Sequence, residues 1–238
     1  MERRAERAFV LARLSTAQTW SVPRWKTTWL SMSDPYRRTA RFYDALVEPP
    51  NVILRRIGLE MCPPREGMKV LEVGCGTGIN LRLYENAGCD VFGVDLSPAM
   101  LEMARQKLGE RADLRLADAA EMPYADDSFD LVTAFLTLHE MPAATRTAVM
   151  AEMVRVVNRD GRLLLIDYRS GPIRFPKGWL FKALIVSMEL AAGREHFTNY
   201  RDFLARQGLP GLISSHGLSV ETEKVVSAGN MHAYVARK

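Results

Sequence analysis

The sequence predicts an α/β fold, a parallel sheet with helices on both faces, from three observations. Short apolar runs alternate with helix-length amphipathic stretches from residue 69 to residue 168. The stretch VLEVGCGTGIN, residues 70 to 80, passes from an apolar strand directly into Gly74, Gly76 and Gly78. Acidic residues stand where successive strands should end, the position at which such sheets hold their ligands.

Each element follows from local chemistry. A helix over 37–61 is stopped by the CysProPro of 62–64. Strand KVLEV (69–73), a helix over 78–87 and strand DVFGVD (90–95) come next. Ser97 is suited to cap the helix over 98–108, with Pro98 at its first position. Strand ADLRLAD (112–118), a loop and strand FDLVTAFL (129–136) follow. A helix over 143–157 leads to strand GRLLLIDY (161–168). An amphipathic region then runs to about 208, before two late strands over 218–226 and 231–237.

Composition bounds the function. The 238 residues suit one α/β domain over 34–238 plus an N-terminal arm over 1–33. Cys62, Cys75 and Cys89 form no CxxC and no His/Cys cluster, so the sequence predicts neither a disulfide scaffold nor a metal site, and a reducing cytoplasm. The net charge of +4 is unevenly placed, since residues 1–41 hold nine basic and three acidic residues. Residues 3–30 interleave arginines with Phe9, Leu11, Leu14, Trp20, Trp25 and Trp29, the pattern of a segment lying in a membrane interface. An arm on an anionic membrane, at the inner face of the cell membrane, is therefore expected; packing onto the domain and binding to RNA are its rivals. Arg13 interrupts the apolar stretch near the N-terminus, which argues against a cleaved signal. Lys182 and Glu189 interrupt WLFKALIVSMEL, the best candidate for a membrane span.

The glycine loop asks for a ligand. Glu72 lies within the strand before it, Asp95 ends the second strand, and Asp118, followed by Ala119, ends the third. A carboxylate 21 residues beyond Gly74 can accept two hydrogen bonds from a ribose diol. Acids at three successive strand ends suit a nucleoside carrying positive charge rather than phosphate. Plainer readings remain: a helix-leading acid for Asp95, a turn residue for Asp118.

EVGCGTG, GVDLSPAML, ADAAEMPYADDSFDLV and GRLLLIDY together resemble the successive motifs of class I S-adenosylmethionine-dependent methyltransferases. The resemblance implies a Rossmann-like sheet of seven strands, the last two forming an antiparallel hairpin. It implies S-adenosylmethionine as cofactor, with Gly74, Gly76 and Gly78 around its methionine and ribose. Asp95 would bind the ribose hydroxyls, Leu96 and Met100 would pack near the adenine, and Asp118 would take the adenine amino group.

For the acceptor, the fourth strand ends AFLTLHEM, which lacks the Asn/Asp-Pro-Pro-Tyr pattern of enzymes that methylate base amines; no DNA partner is expected. YRRTARFYD (36–44), LHE (138–140) and EHFTNYRDFLARQGL (195–209) resemble methyltransferases of ubiquinone and menaquinone biosynthesis, whose relatives include bacterial phospholipid N-methyltransferases. Small phosphoethanolamine methyltransferases are similar in pairing a histidine after the fourth strand with an N-terminal tyrosine. By that resemblance His139 and either Tyr36 or Tyr43 are the catalytic candidates. Tyr168 and Arg169 after the fifth strand, with Arg194 and Tyr200 beyond, are candidates for gripping a phospholipid head. A lipid amine, phosphatidylethanolamine, is the expected acceptor. A quinone ring is the second expectation, and a non-catalytic module docking on RNA or protein the third. The sequence leaves the oligomeric state open.

Overall fold

The computed structural model describes Asp34, Tyr36, Arg37 and residues 39–238, with 46–50 described by backbone alone. The expected arm over 1–33 lies outside the described residues. Helix α1 (Ala40–Met61) precedes strand β1 (Lys69–Val73), α2 (Ile79–Glu85), β2 (Asp90–Asp95), α3 (Pro98–Leu108) and β3 (Ala112–Leu116). Strand β4 (Phe129–Phe135), α4 (Ala143–Val156) and β5 (Val157–Tyr168) complete the alternating part. Helices α5 (Lys177–Ala192), α6 (Arg194–Ala205) and α7 (Gly208–Ser215) lead to β6 (Ser219–Val226) and β7 (Met231–Arg237).

The seven strands form one sheet in the order β3-β2-β1-β4-β5-β7-β6. Pairs among β1 to β5 are parallel, while β7 runs antiparallel to both β5 and β6. The order reverses between β1 and β4, so the carboxyl ends of β1, β2 and β4 converge on a crevice. Val70, Leu71, Val73, Leu131, Val132 and Leu163 to Ile166 are all but inaccessible, as strands covered on both faces require. Ser97 caps α3 as expected, its Oγ accepting the Met100 N–H at 3.1 Å.

Four boundaries differ most from the sequence reading. Strand β5 begins at Val157, directly after α4 and four residues before the expected start at Gly161. Strand β3 ends at Leu116, placing Asp118 two residues into the loop. Tyr36 and Arg37 form a turn before α1, in which the Thr39 and Ala40 N–H groups both donate to the Tyr36 carbonyl. The amphipathic region resolves into three helices, broken at Gly193 (φ 122°) and at Gln207 and Gly208, whose φ values are 68° and 59°.

Candidate functional site

The glycine loop sits at the carboxyl end of β1. A Cβ on Gly74 would collide with the Thr137 side chain, and one on Gly78 would come within 2.9 Å of Leu108 on α3; these two glycines permit close packing. Gly76 differs. Its φ is +51° and a Cβ there would meet nothing within 4 Å, so its missing side chain leaves open space above the loop. Its N–H donates to Asp95 Oδ2 at 2.8 Å, and the Ser97 N–H donates to Oδ1 at 2.8 Å. From α1, Asp44 braces the loop by accepting from the Thr77 hydroxyl at 2.5 Å and pairing with Lys107 at 2.6 Å.

Burial raises the Asp95 pKa to about 6, against the two N–H donors, with the charges of Glu140 and Asp34 adding to the rise. Each Asp95 oxygen keeps a second lone pair for a hydroxyl donor. Asp34 stands beside it, accepting from the Ser97 hydroxyl at 2.9 Å and the Ala99 N–H at 3.0 Å. Glu72 is 2% exposed on β1, Met100 and Ala119 are buried, and Leu96 is half-buried. Asp118 accepts the Ala120 N–H at 2.8 Å through one oxygen, the turn bond of its plainer reading. Open space at Gly76 and acceptors at Asp95 both fit S-adenosylmethionine, whose ribose offers hydroxyl donors.

A second group of side chains gathers beside it. His139 lies in the short helical turn Leu138–Glu140 after β4 and is 2% exposed. Its Nδ1 bonds Asp167 Oδ1 at 2.7 Å, while Asp167 Oδ2 accepts the N–H groups of Leu138 and His139 at 3.1 Å each. Its Nε2 faces Glu189 Oε1 at 3.5 Å. The other Glu189 oxygen bonds His196 Nδ1 at 2.8 Å, and His196 Nε2 faces Glu140 Oε1 at 3.3 Å. The Tyr36 hydroxyl donates to Glu140 Oε2 at 3.4 Å. Acids and imidazoles thus alternate from Asp167 to Tyr36.

The alternation sets the charges. Burial opposes protonation of His139, but Asp167, Glu189 and Glu140 outweigh it and push its pKa up to about 10. Hydrogen bonds to Glu140 and Glu189 push His196 to about 9 against its own burial. Burial raises Glu189, yet the two histidines bring it down to about 2. His139 as placed holds a proton and has both nitrogens engaged, so it orients Glu189 and is poorly suited to accept another proton. The charge of Glu140, then burial, lifts the Tyr36 hydroxyl far above its ordinary value, so this tyrosine stays neutral. Tyr43 packs edge-on against Tyr36, ring centroids 6.0 Å apart.

The candidates for gripping the acceptor divide. Tyr168 and Tyr200 wall the group, with ring centroids 4.5 and 6.3 Å from that of His139. Arg169 does not join it: its guanidinium folds over Gly171 and the Pro172 carbonyl, and its charge acts on His232 and Tyr234 of β7. Arg194 is exposed at the start of α6. Among the described residues Lys182 does reach the group, its Nζ donating to the Tyr200 hydroxyl at 2.6 Å. Buried Arg146 locks the turn in place by donating to the carbonyls of Leu138, Met141 and Asn199 at 2.9, 2.7 and 3.3 Å.

Asp167, Glu189, Glu140 and Lys182 escaped the sequence reading as functional residues, and so did the convergence of His139, Glu189 and His196, which a search for His/Cys runs cannot find. Two signals were present. Asp167 directly follows the apolar run Leu163–Ile166 of the fifth strand, and Glu189 is a lone acid in an apolar helix.

Residues 71–165 match a family model described as a methyltransferase domain. Methyltransferase GfsG of Streptomyces halstedii is 36% identical over 152 residues, covering 60% of this chain and 53% of that protein. A phosphatidylethanolamine N-methyltransferase of Cereibacter sphaeroides is 37% identical over 107 residues, 43% of this chain and 51% of its own. A demethylmenaquinone methyltransferase of Renibacterium salmoninarum is 32% identical over 123 residues, 50% of this chain and 51% of its own. The chain spans about half the length of these curated relatives. A solved structure of a SAM-dependent methyltransferase from Aquifex aeolicus shares the fold, with a TM-score of 0.58 at 17% identity over 86% of this chain and 98% of that one.

Proposed function

We propose that the chain, whose residues 71–165 match a methyltransferase-domain model and whose fold is shared with a SAM-dependent methyltransferase, methylates a lipid at a membrane surface. The amine of phosphatidylethanolamine is the acceptor this reading favours. The observation that carries it is the two-faced character of α5. Inward, the helix delivers Lys182 and Glu189 to the group around His139. Outward, it shows Trp179, Leu180 and Leu184 to solvent at 62, 72 and 52% exposure, preceded by Phe175 at 84%. An apolar face of that size on the helix that walls the site suits contact with lipid. No described helix is long and apolar enough to cross a membrane.

S-adenosylmethionine supplies a methyl group on a positively charged sulfur. Gly76 would let the cofactor approach the backbone, Asp95 would hold the ribose, Leu96 and Met100 would flank the adenine, and Asp118 would take its amino group. The acceptor enters between Tyr36, Tyr168 and Tyr200, where carboxylates and aromatic faces draw an ammonium. An ammonium has no lone pair and must lose a proton before it reacts. His139 is held as a cation, so Glu140, 32% exposed at its side chain, takes that proton and releases it to solvent. Lys182, rather than Arg169, faces the phosphodiester. Support comes also from the similarity to the Cereibacter enzyme, whose name states this acceptor.

A quinone ring is the second reading, favoured by the similarity to demethylmenaquinone methyltransferases. It needs the same apolar face but no phosphate partner. The deciding experiment incubates the protein with radiolabelled S-adenosylmethionine and liposomes, with and without phosphatidylethanolamine and anionic lipid, followed by lipid chromatography. Label in mono-, di- and trimethylated phospholipid supports the amine reading. Cofactor binding without labelled phospholipid sinks it and directs the assay to quinone precursors.

A further inference from the structure

We propose that His139, Glu189 and His196 form a binding site for one divalent transition-metal ion, with zinc the best fit to the donors. The three residues come from three elements: the turn after β4, α5 and α6. One ligand atom from each lies within 4.8 Å of the other two. Each histidine has one nitrogen held by a carboxylate outside the trio. His139 Nδ1 is fixed by Asp167 at 2.7 Å, and His196 Nε2 faces Glu140 at 3.3 Å. The two remaining nitrogens, His139 Nε2 and His196 Nδ1, both turn to Glu189, one to each oxygen, at 3.5 and 2.8 Å.

Proteins prepare histidine ligands in this way, because a carboxylate on one ring nitrogen fixes the tautomer and strengthens the other nitrogen as a donor. Two histidines and a glutamate make a set that zinc accepts with a position left open, whereas imidazole donors disfavour magnesium and calcium. The charge balances. The dipositive ion compensates the buried carboxylates of Asp167 and Glu189. The bound ion ties α5 and α6 to the turn that carries His139, adding a constraint that hydrogen bonds alone do not supply.

The test uses the full, untagged chain, stripped with a chelator and titrated with zinc against a colorimetric competitor. One equivalent binds with submicromolar affinity, and zinc raises the melting temperature. His196→Ala and Glu189→Gln each weaken binding at least about a hundredfold, and Asp167→Asn, which removes no ligand, weakens it by roughly ten- to a hundredfold. His216→Ala, outside the group, leaves binding as it was. Circular dichroism identifies the variants that remain folded, and His196→Ala, partly exposed, decides the matter if Glu189→Gln unfolds. No zinc uptake by the folded, stripped protein overturns the site, as does equal uptake by wild type and His196→Ala; the contacts are then a chain of charged hydrogen bonds.

Discussion

Asp95 shows how one half-buried group links stability to binding. Its pKa rises from 3.8 to about 6 on folding because burial disfavours the carboxylate. Between those values the native state holds more protons than the unfolded chain, so this group lowers the stability of the cofactor-free protein as pH rises through the window. Cofactor binding should move the opposite way, since the carboxylate is the form that accepts two ribose hydroxyls. Calorimetric titration should find S-adenosylmethionine affinity falling by up to about tenfold per pH unit below about 6. Asp95→Asn should weaken binding by roughly ten- to a hundredfold, the worth of about one charged hydrogen bond, and flatten the pH profile. A wild-type profile without slope between pH 5 and 7 would remove Asp95 from the ribose. Gly76→Ala tests the loop, because a φ of +51° costs an alanine about 1–2 kcal/mol and its methyl would fill the open space. Cofactor affinity should fall further than that loss of stability explains. The sequence singles these residues out as candidates because each departs from its local setting, an acid at the end of an apolar strand or a glycine in a tight turn. Glu189 contradicted its setting too, but a charge in an apolar helix has a plain alternative in solubility, and only the position of His139 and His196 decides between them.

At the scale of the element, the expectation of an amphipathic stretch is corrected at α5, which carries apolar residues on all sides, so periodicity assigns it no inner face. Tertiary contacts assign it: Ile185 and Glu189 are buried, while Leu180 and Leu184 stand out in solvent. If the outer face enters lipid, Leu180→Glu with Leu184→Glu should weaken binding to neutral vesicles more than tenfold, since each leucine contributes about 1.5 kcal/mol or more when buried. Turnover of a short-chain acceptor dispersed as monomers should be little changed, because neither side chain reaches the group around His139. Equal vesicle binding by the double variant would dismiss α5 as a lipid contact. The turn after β4 supplies a second test. Arg146→Ala strips donors from three carbonyls, and each buried acceptor left unpaired costs about 1–3 kcal/mol. A loss of about 3 kcal/mol, or roughly 6–12 °C in melting temperature for a domain of this size, should appear in a thermal melt. A shift under about 2 °C would mean that water replaces the guanidinium.

At the scale of the whole molecule, the sheet was the most legible part. Alternation and short connections dictate parallel pairing, and the glycine loop marks the end of the sheet at which the strand order reverses. The group around His139 was less legible because its members lie far apart in sequence and meet only when α5 packs on α6 and α6 on the turn after β4. Charge is divided on the same scale. Residues 1–41 carry a surplus of six positive charges and the remainder a deficit of two, whereas the outer face of α5 offers apolar area with little charge. The proposed membrane contact therefore has two parts of different physics. Attraction of basic residues to anionic lipid is worth about 1 kcal/mol each and weakens as salt shortens the screening length from about 10 Å at 0.1 M to about 3 Å at 1 M. Burial of apolar side chains does not weaken in this way. Co-sedimentation with phosphatidylserine-containing vesicles should accordingly fall as salt rises and then level off at a plateau. Removing residues 1–33 should abolish the falling part and keep the plateau, and the Leu180 and Leu184 substitutions should do the reverse. Binding that vanishes at 1 M salt would leave α5 without a membrane role. Binding indifferent to salt would leave the basic segment without one and return it to packing on the domain or on a partner.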